Sequence, residues 1–140
     1  LLARRRTCVI RNTVSPTRSL LQGAVWSLDL TELELSDFDI DHQLLELPGL
    51  TLVIFTSVGC ASCRYTRQQL PKLAFEVDRV CWIDAEENGG AVARYEVFHL
   101  PALFVVRDGQ FYGALRSPLT ASDLGQALAS ALSREPDELP

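Results

Sequence analysis

At 140 residues, with 47% hydrophobic and 22% charged side chains, the chain is sized for one domain with a core of its own. No apolar stretch approaches the ~20 residues a helix needs to cross a bilayer, and Leu50–Phe55 and Pro101–Val106 are strand-length, so no membrane span is expected. Residues 1–24 hold five of the 13 basic residues (Arg4, Arg5, Arg6, Arg11, Arg18) and no acid, which leaves 8 basic against 18 acidic residues in an acidic body poorly suited to nucleic acid.

The basic arm, residues 1–24, lacks the apolar core of a secretory signal, only weakly resembles a mitochondrial presequence in composition, and is expected to be a flexible extension. The domain itself is predicted over residues 25–135, with a tail at 136–140. Four cysteines (Cys8, Cys60, Cys63, Cys81) are too few for a disulfide scaffold in a chain this long, which points to a reducing, cytoplasmic setting.

In chain order, Val25–Leu35 alternates apolar and polar residues and predicts an edge strand, with a possible break near Thr31. Ser36 is a candidate cap for a short helix with Asp37 and Asp39 in its first turn, Phe38, Leu44, Leu45 and Leu47 on its apolar side, and Pro48-Gly49 at its end. Thr51–Thr56 (TLVIFT) is nearly all apolar and β-branched, as a central strand covered on both faces must be. A turn, Ser57–Cys60, leads into a helix from Ala61, with Leu70, Leu73, Ala74 and Val77 inward and a bend at Pro71.

Arg79–Asp84 is a further strand, Asn88-Gly89-Gly90 breaks the chain, and a short helix follows near Ala91–Tyr95. Ala102–Val106 and Gln110–Leu115 form a hairpin around Asp108-Gly109. Thr120-Ala-Ser-Asp123 has the form of a capping box opening a last helix, with Leu124, Ala127, Leu128, Ala131 and Leu132 inward. The order β, α, β, α, β, α, β, β, α predicts an α/β domain with a mixed sheet, parallel first and closed by an antiparallel hairpin.

Cys60-Ala-Ser-Cys63 falls between a central strand and a helix N-terminus. Free amide hydrogens and the positive end of the helix dipole lower the pKa of the first sulfur and make it a nucleophile. Cys63, one turn further, is placed to resolve the mixed disulfide that Cys60 forms. A structural bridge, half of a zinc site or two inert thiols are the alternatives. Zinc needs further ligands, and with His42 and His99 the only histidines and no second Cys-x-x-Cys at the usual distance, no metal is expected. A bridge three residues long constrains the unfolded chain little.

Asp37–Cys63, Cys81-Trp-Ile-Asp84, Tyr95-Glu-Val97, Leu100-Pro101 and Arg107-Asp-Gly109 together resemble the successive landmarks of thioredoxins, over about residues 25–133. The resemblance implies a thioredoxin fold with an N-terminal extension, and a thiol–disulfide oxidoreductase with Cys60 as nucleophile and Cys63 as resolving thiol. It implies a cis Leu100-Pro101 bond beside the cysteines, and a substrate surface of Gly59, Ala61, Ser62, Leu100 and Pro101. Partners would be protein disulfides or dithiols, with an external reductase or small thiol as electron donor. No flavin or nicotinamide fingerprint is present, and no cofactor is expected.

Several positions depart from the family. Gly59 and Thr56 replace active-site tryptophans, and Ala61-Ser62 replaces Gly-Pro. The buried aspartate six residues before the nucleophile is Ile54, and its lysine neighbour is Val80. Ala102 and Ser117 stand where threonine and glycine are usual. These changes keep a second expectation open, a redox-inert thioredoxin-fold module that only binds protein partners. His99 is a candidate for a role near the sulfurs and Arg64 for charge stabilisation of the thiolate, whereas His42 is expected at the surface. Cys81, Trp82 and Trp26 are assigned to packing and Cys8 to the arm.

Overall fold

A computed structural model describes residues 30–140. The arm, Cys8, Trp26 and the first half of the strand predicted from Val25 lie outside the described residues. The elements are β1 (Thr31–Leu35), α1 (Ile40–Glu46), β2 (Leu50–Thr56), α2 (Ala61–Gln69), a 3₁₀ turn (Leu70–Lys72), β3 (Arg79–Asp84), α3 (Gly89–Arg94), β4 (Ala102–Arg107), β5 (Gln110–Leu115) and α4 (Ala121–Leu132). No helix among the described residues is long and apolar enough to cross a membrane.

The strands form one sheet in the order β1-β3-β2-β4-β5. β1 and β2 run parallel to β3, β4 runs antiparallel to β2, and β5 closes the sheet antiparallel to β4, as the element order predicts. β2 is central, so both faces of its alternating side chains are buried. Val53 and Phe55 pack with Ile40, Leu44, Ala91 and Tyr95 under α1 and α3. Leu52 and Ile54 pack on the opposite face with Trp82, Leu70, Leu124 and Leu128. The hairpin turn places Asp108 and Gly109 both at positive φ, 52° and 81°, the geometry of a two-residue turn that matches strand twist.

Two helix expectations are corrected. Phe38 is 98% exposed rather than inward, because the residues before Ile40 form a turn and the helix begins later. Asp39 takes the cap position, and its Oδ1 accepts the Ser36 N–H at 2.7 Å. Asp37 instead serves α3, its carboxylate accepting the Gly90 and Ala91 N–H groups at 3.2 and 2.7 Å. Pro71 ends α2 instead of bending it. The helix stops at Gln69 and gives way to the 3₁₀ turn, so Leu73, Ala74 and Val77 lie beyond it. A proline inside the turn has no N–H to continue the α ladder, and the tighter 3₁₀ pattern, with Leu73 N–H on Leu70 O at 3.1 Å, satisfies the backbone locally.

The predicted capping box is present: Thr120 Oγ1 accepts the Asp123 N–H at 3.1 Å and donates to Asp123 Oδ2 at 2.8 Å. Past α4, Asp137 pairs with Phe111 through two 2.8 Å backbone hydrogen bonds, and Arg134 donates to the Tyr112 and Ala114 carbonyls at 3.0 Å. These contacts cover the free edge of β5, an edge that otherwise invites strand addition.

Candidate active site

The site forms where β2 leaves the sheet at its carboxyl end. Cys60 is the N-cap residue of α2, with extended backbone (φ −98°, ψ 116°), and its Sγ accepts the Cys63 N–H at 3.1 Å. The sulfur thus occupies the position a serine or aspartate oxygen takes at a helix start, where an unpaired amide hydrogen favours negative charge. Ser62 Oγ lies 3.3 Å from the same sulfur, and the Leu100 carbonyl is 4.0 Å away.

The two thiols are electrostatically unlike. Hydrogen bonding from the Cys63 side chain, and then from Ser62, holds the Cys60 thiol below its ordinary value. Cys63 is only 1% exposed. Burial, reinforced by its hydrogen bond to Cys60, pushes its thiol up to about 11. Cys81 is buried within β3, and burial pushes it up to about 12, in keeping with a packing role. All three thiols are free. Alkylation at neutral pH is therefore expected to label Cys60 first. Relative to a thiol at 9.0, Cys63 at about 11 has about 100-fold less thiolate. Mass mapping at increasing pH checks this, with Cys60 labelled at the lowest pH and Cys63 and Cys81 only in base or after unfolding.

The predicted surface residues surround this sulfur. Gly59, Ala61 and Ser62 are exposed around it, and a Cβ on Gly59 would meet no atom within 4 Å. The Leu100-Pro101 bond is cis, as the resemblance implied. Beside it a groove of about 230 Å³ has Val97, Ala102, Phe104 and Leu119 among its lining residues, with Thr66 from α2 and Arg116 and Ser117 after β5. Exposed Val58 and Phe98 belong to the flanking loops. His99 lines this groove and is exposed, while His42 sits at the surface 3.8 Å from Glu46.

The Arg64 expectation needs correction. Its guanidinium donates to the Val58 carbonyl at 2.7 Å, and its charge lowers the thiol of Cys63 rather than acting on Cys60. Fixing the turn before the nucleophile is thus its visible part. Thr66, Arg116 and the direct contact of Ser62 with the nucleophile are features of the site to which the sequence does not point, save that the last has a local signal, a hydroxyl two residues after an N-cap.

Ile54 and Val80 are both fully buried in one apolar cluster, so the missing charge pair is replaced by hydrocarbon and leaves no stranded ion. Trp82, in the same cluster, donates Nε1–H to Glu32 Oε1 at 2.7 Å, and the Arg67 guanidinium lies 4.5 Å from its ring centre.

The thioredoxin family model matches residues 31–130. Thioredoxin of Staphylococcus epidermidis is 31% identical over 80 residues, which cover 55% of this chain and 75% of that protein. Protein disulfide-isomerase A3 of Gallus gallus is 31% identical over 94 residues, 65% of this chain and 19% of that much longer protein. Among solved structures, thioredoxin from Trypanosoma brucei brucei superimposes with a TM-score of 0.58 at 22% identity, covering 72% of this chain and 90% of that one. The human ERp44 zinc-bound form gives 0.58 at 16% identity, covering 71% and 30%. At those identities the two structures speak to the fold alone. With a sheet order, a cis-proline loop and a Cys60–Cys63 pair that agree with the family match, this chain belongs to the thioredoxin family.

Proposed function

We propose that the protein is a thiol–disulfide oxidoreductase that exchanges electrons with protein substrates through Cys60 and Cys63 in a reducing, cytoplasmic compartment, recycled by a separate reductase or small thiol. The observation that carries this is the asymmetry of the two sulfurs: one is accessible and stabilised as thiolate at the helix start, the other is buried and held protonated. An inert pair would have no need of that difference.

In the reducing direction, the Cys60 thiolate attacks a substrate disulfide, forming a mixed disulfide and releasing one substrate thiolate. Cys63 then loses its proton and attacks the Cys60 sulfur. The Cys60–Cys63 bond forms, the bond to substrate breaks, and the second substrate sulfur leaves with the electron pair and takes a proton from solvent. The apolar groove beside Leu100 and Pro101 receives an extended substrate segment, and the open space at Gly59 admits bulky neighbours of the attacked sulfur.

The test is trapping with Cys63→Ser. Without the resolving thiol, the Cys60 mixed disulfide is expected to accumulate with protein substrates, to be released by reductant and to be absent from a Cys60→Ser/Cys63→Ser control. Partners recovered equally by the double variant would favour the redox-inert binding module, for which the exposed Val58 and Phe98 around an intact groove speak.

A further inference from the structure

Resolution by Cys63 requires a proton to leave a buried thiol, and among the described residues the two positions where the family keeps its charge pair, Ile54 and Val80, are buried hydrocarbon and offer no acceptor. The other side of the sulfur is different. A cleft of about 330 Å³ opens between the ends of β2 and β3 and the first turns of α2, and its lining includes Cys63, Thr56, Ser57, Arg64 and Asp84. Thr56 and Asp84 are partners in the β2–β3 register, which places the carboxylate one strand away from the base of the Cys60–Cys63 turn.

The remaining charged groups around the cleft are engaged. Glu34 of β1 pairs with Arg67 of α2. Arg64 of α2 is held by the Val58 carbonyl, and Glu86, after β3, accepts from the Ser57 hydroxyl at 2.9 Å. Cys60 faces the substrate side, toward Leu100. Among the described residues the Asp84 carboxylate accepts only the Glu86 N–H, on Oδ1 at 2.9 Å, and has no ion pair. It therefore has acceptor capacity left in a space large enough for solvent.

Resting on the oxidoreductase reading above, we propose that this cleft is the proton outlet of Cys63, with Asp84 receiving the proton through solvent as Cys63 attacks the mixed disulfide. The proton leaves the Cys63 sulfur, passes through solvent to the Asp84 carboxylate and returns to bulk. The Cys63 electron pair forms the bond to Cys60, and the substrate sulfur departs with the pair from the broken bond. Two of the influences that raise the Cys63 thiol, its hydrogen bond to Cys60 and the charge on Cys60, disappear once Cys60 is bound to substrate, so the acceptor acts on a thiol already eased. Asp84 works through solvent and touches neither sulfur, which makes it a positioning group for the transfer rather than a catalytic residue.

The experiment is single-turnover reaction of the reduced full chain with a disulfide-linked peptide pair, quenched in acid and followed by mass for the mixed disulfide. Asp84→Asn preserves an oxygen for the Glu86 N–H, so the turn is expected to hold. Formation of the mixed disulfide should match the wild type, while its decay slows about 10-fold or more near neutral pH, a modest loss for a proton acceptor. The deficit should shrink as the pH rises toward that of the free thiol, and added formate should speed decay in Asp84→Ala. Wild-type decay in Asp84→Asn across this range overturns the proposal. Slowing that is equal at every pH and insensitive to formate also overturns it, leaving Asp84 a structural residue. A wild-type protein that forms no mixed disulfide overturns the oxidoreductase reading itself, and the outlet with it.

Discussion

Cys60→Ser is expected to abolish disulfide exchange while leaving the fold intact. The two halves of that expectation have separate causes. Cys60 caps α2 through its Sγ, and a serine oxygen accepts the Cys63 N–H at least as well, so the helix start should lose no stability. The hydroxyl, however, cannot ionise at neutral pH, and no general base lies in the contacts of this position to activate it. Exchange with a protein disulfide should fall by at least about 10³-fold, the order seen when a covalent nucleophile is lost. Thermal unfolding of the same variant should move by less than about 1 kcal/mol in stability. Substantial residual exchange would transfer the chemistry to another thiol.

A second large effect is expected in the core. Ile54→Asp places a carboxylate at a fully buried position among Leu52, Leu70, Val80, Trp82 and Leu124. No cation belongs to this cluster among the described residues, so the loss should be about 3–5 kcal/mol, the scale of an uncompensated buried charge. Its pH dependence has a definite sign. Burial raises the folded-state pKa of the new carboxyl above its unfolded value near ~3.9. The folded state then holds more protons than the unfolded one between those two values, so stability falls as pH rises through that window and is least reduced in acid. Adding Val80→Lys should recover part of the loss, because both positions belong to the same cluster. Denaturant unfolding of the single and double variants at several pH values measures this. Equal stability of Ile54→Asp and wild type at neutral pH would contradict an apolar, dry environment at this site.

The same contrast between local and long-range causes explains what the sequence made legible. β2, β3 and the β4–β5 hairpin carry their signals within a few residues: continuous β-branched runs and an Asp-Gly turn. The cap at Thr120 is equally local. The nucleophile was visible because a Cys-x-x-Cys at a strand-to-helix junction is a local pattern, and the cis bond at Leu100-Pro101 only through resemblance.

What escaped depends on partners distant in sequence. Asp37 reads locally as a first-turn acid of the helix beside it but is claimed by backbone amides at Gly90 and Ala91. Arg64 looked like a cation for the nucleophile but is held by a carbonyl in the preceding turn. The groove wall after β5 and the cleft at Asp84 exist only once strands from separate parts of the chain lie side by side. Pro71 marks the interruption locally, but whether the helix bends there or gives way to a 3₁₀ turn is decided by the packing of Leu70, which is fully buried.

The most direct measurement is a redox titration of the purified chain in defined thiol buffers, with alkylation and mass mapping of each cysteine. A single reversible two-electron transition confined to Cys60 and Cys63, with Cys81 remaining a thiol throughout, is the predicted result. Failure of Cys60 and Cys63 to pair, or a bond between them that thiols cannot reopen, would contradict a redox function and leave a thioredoxin-fold binding protein.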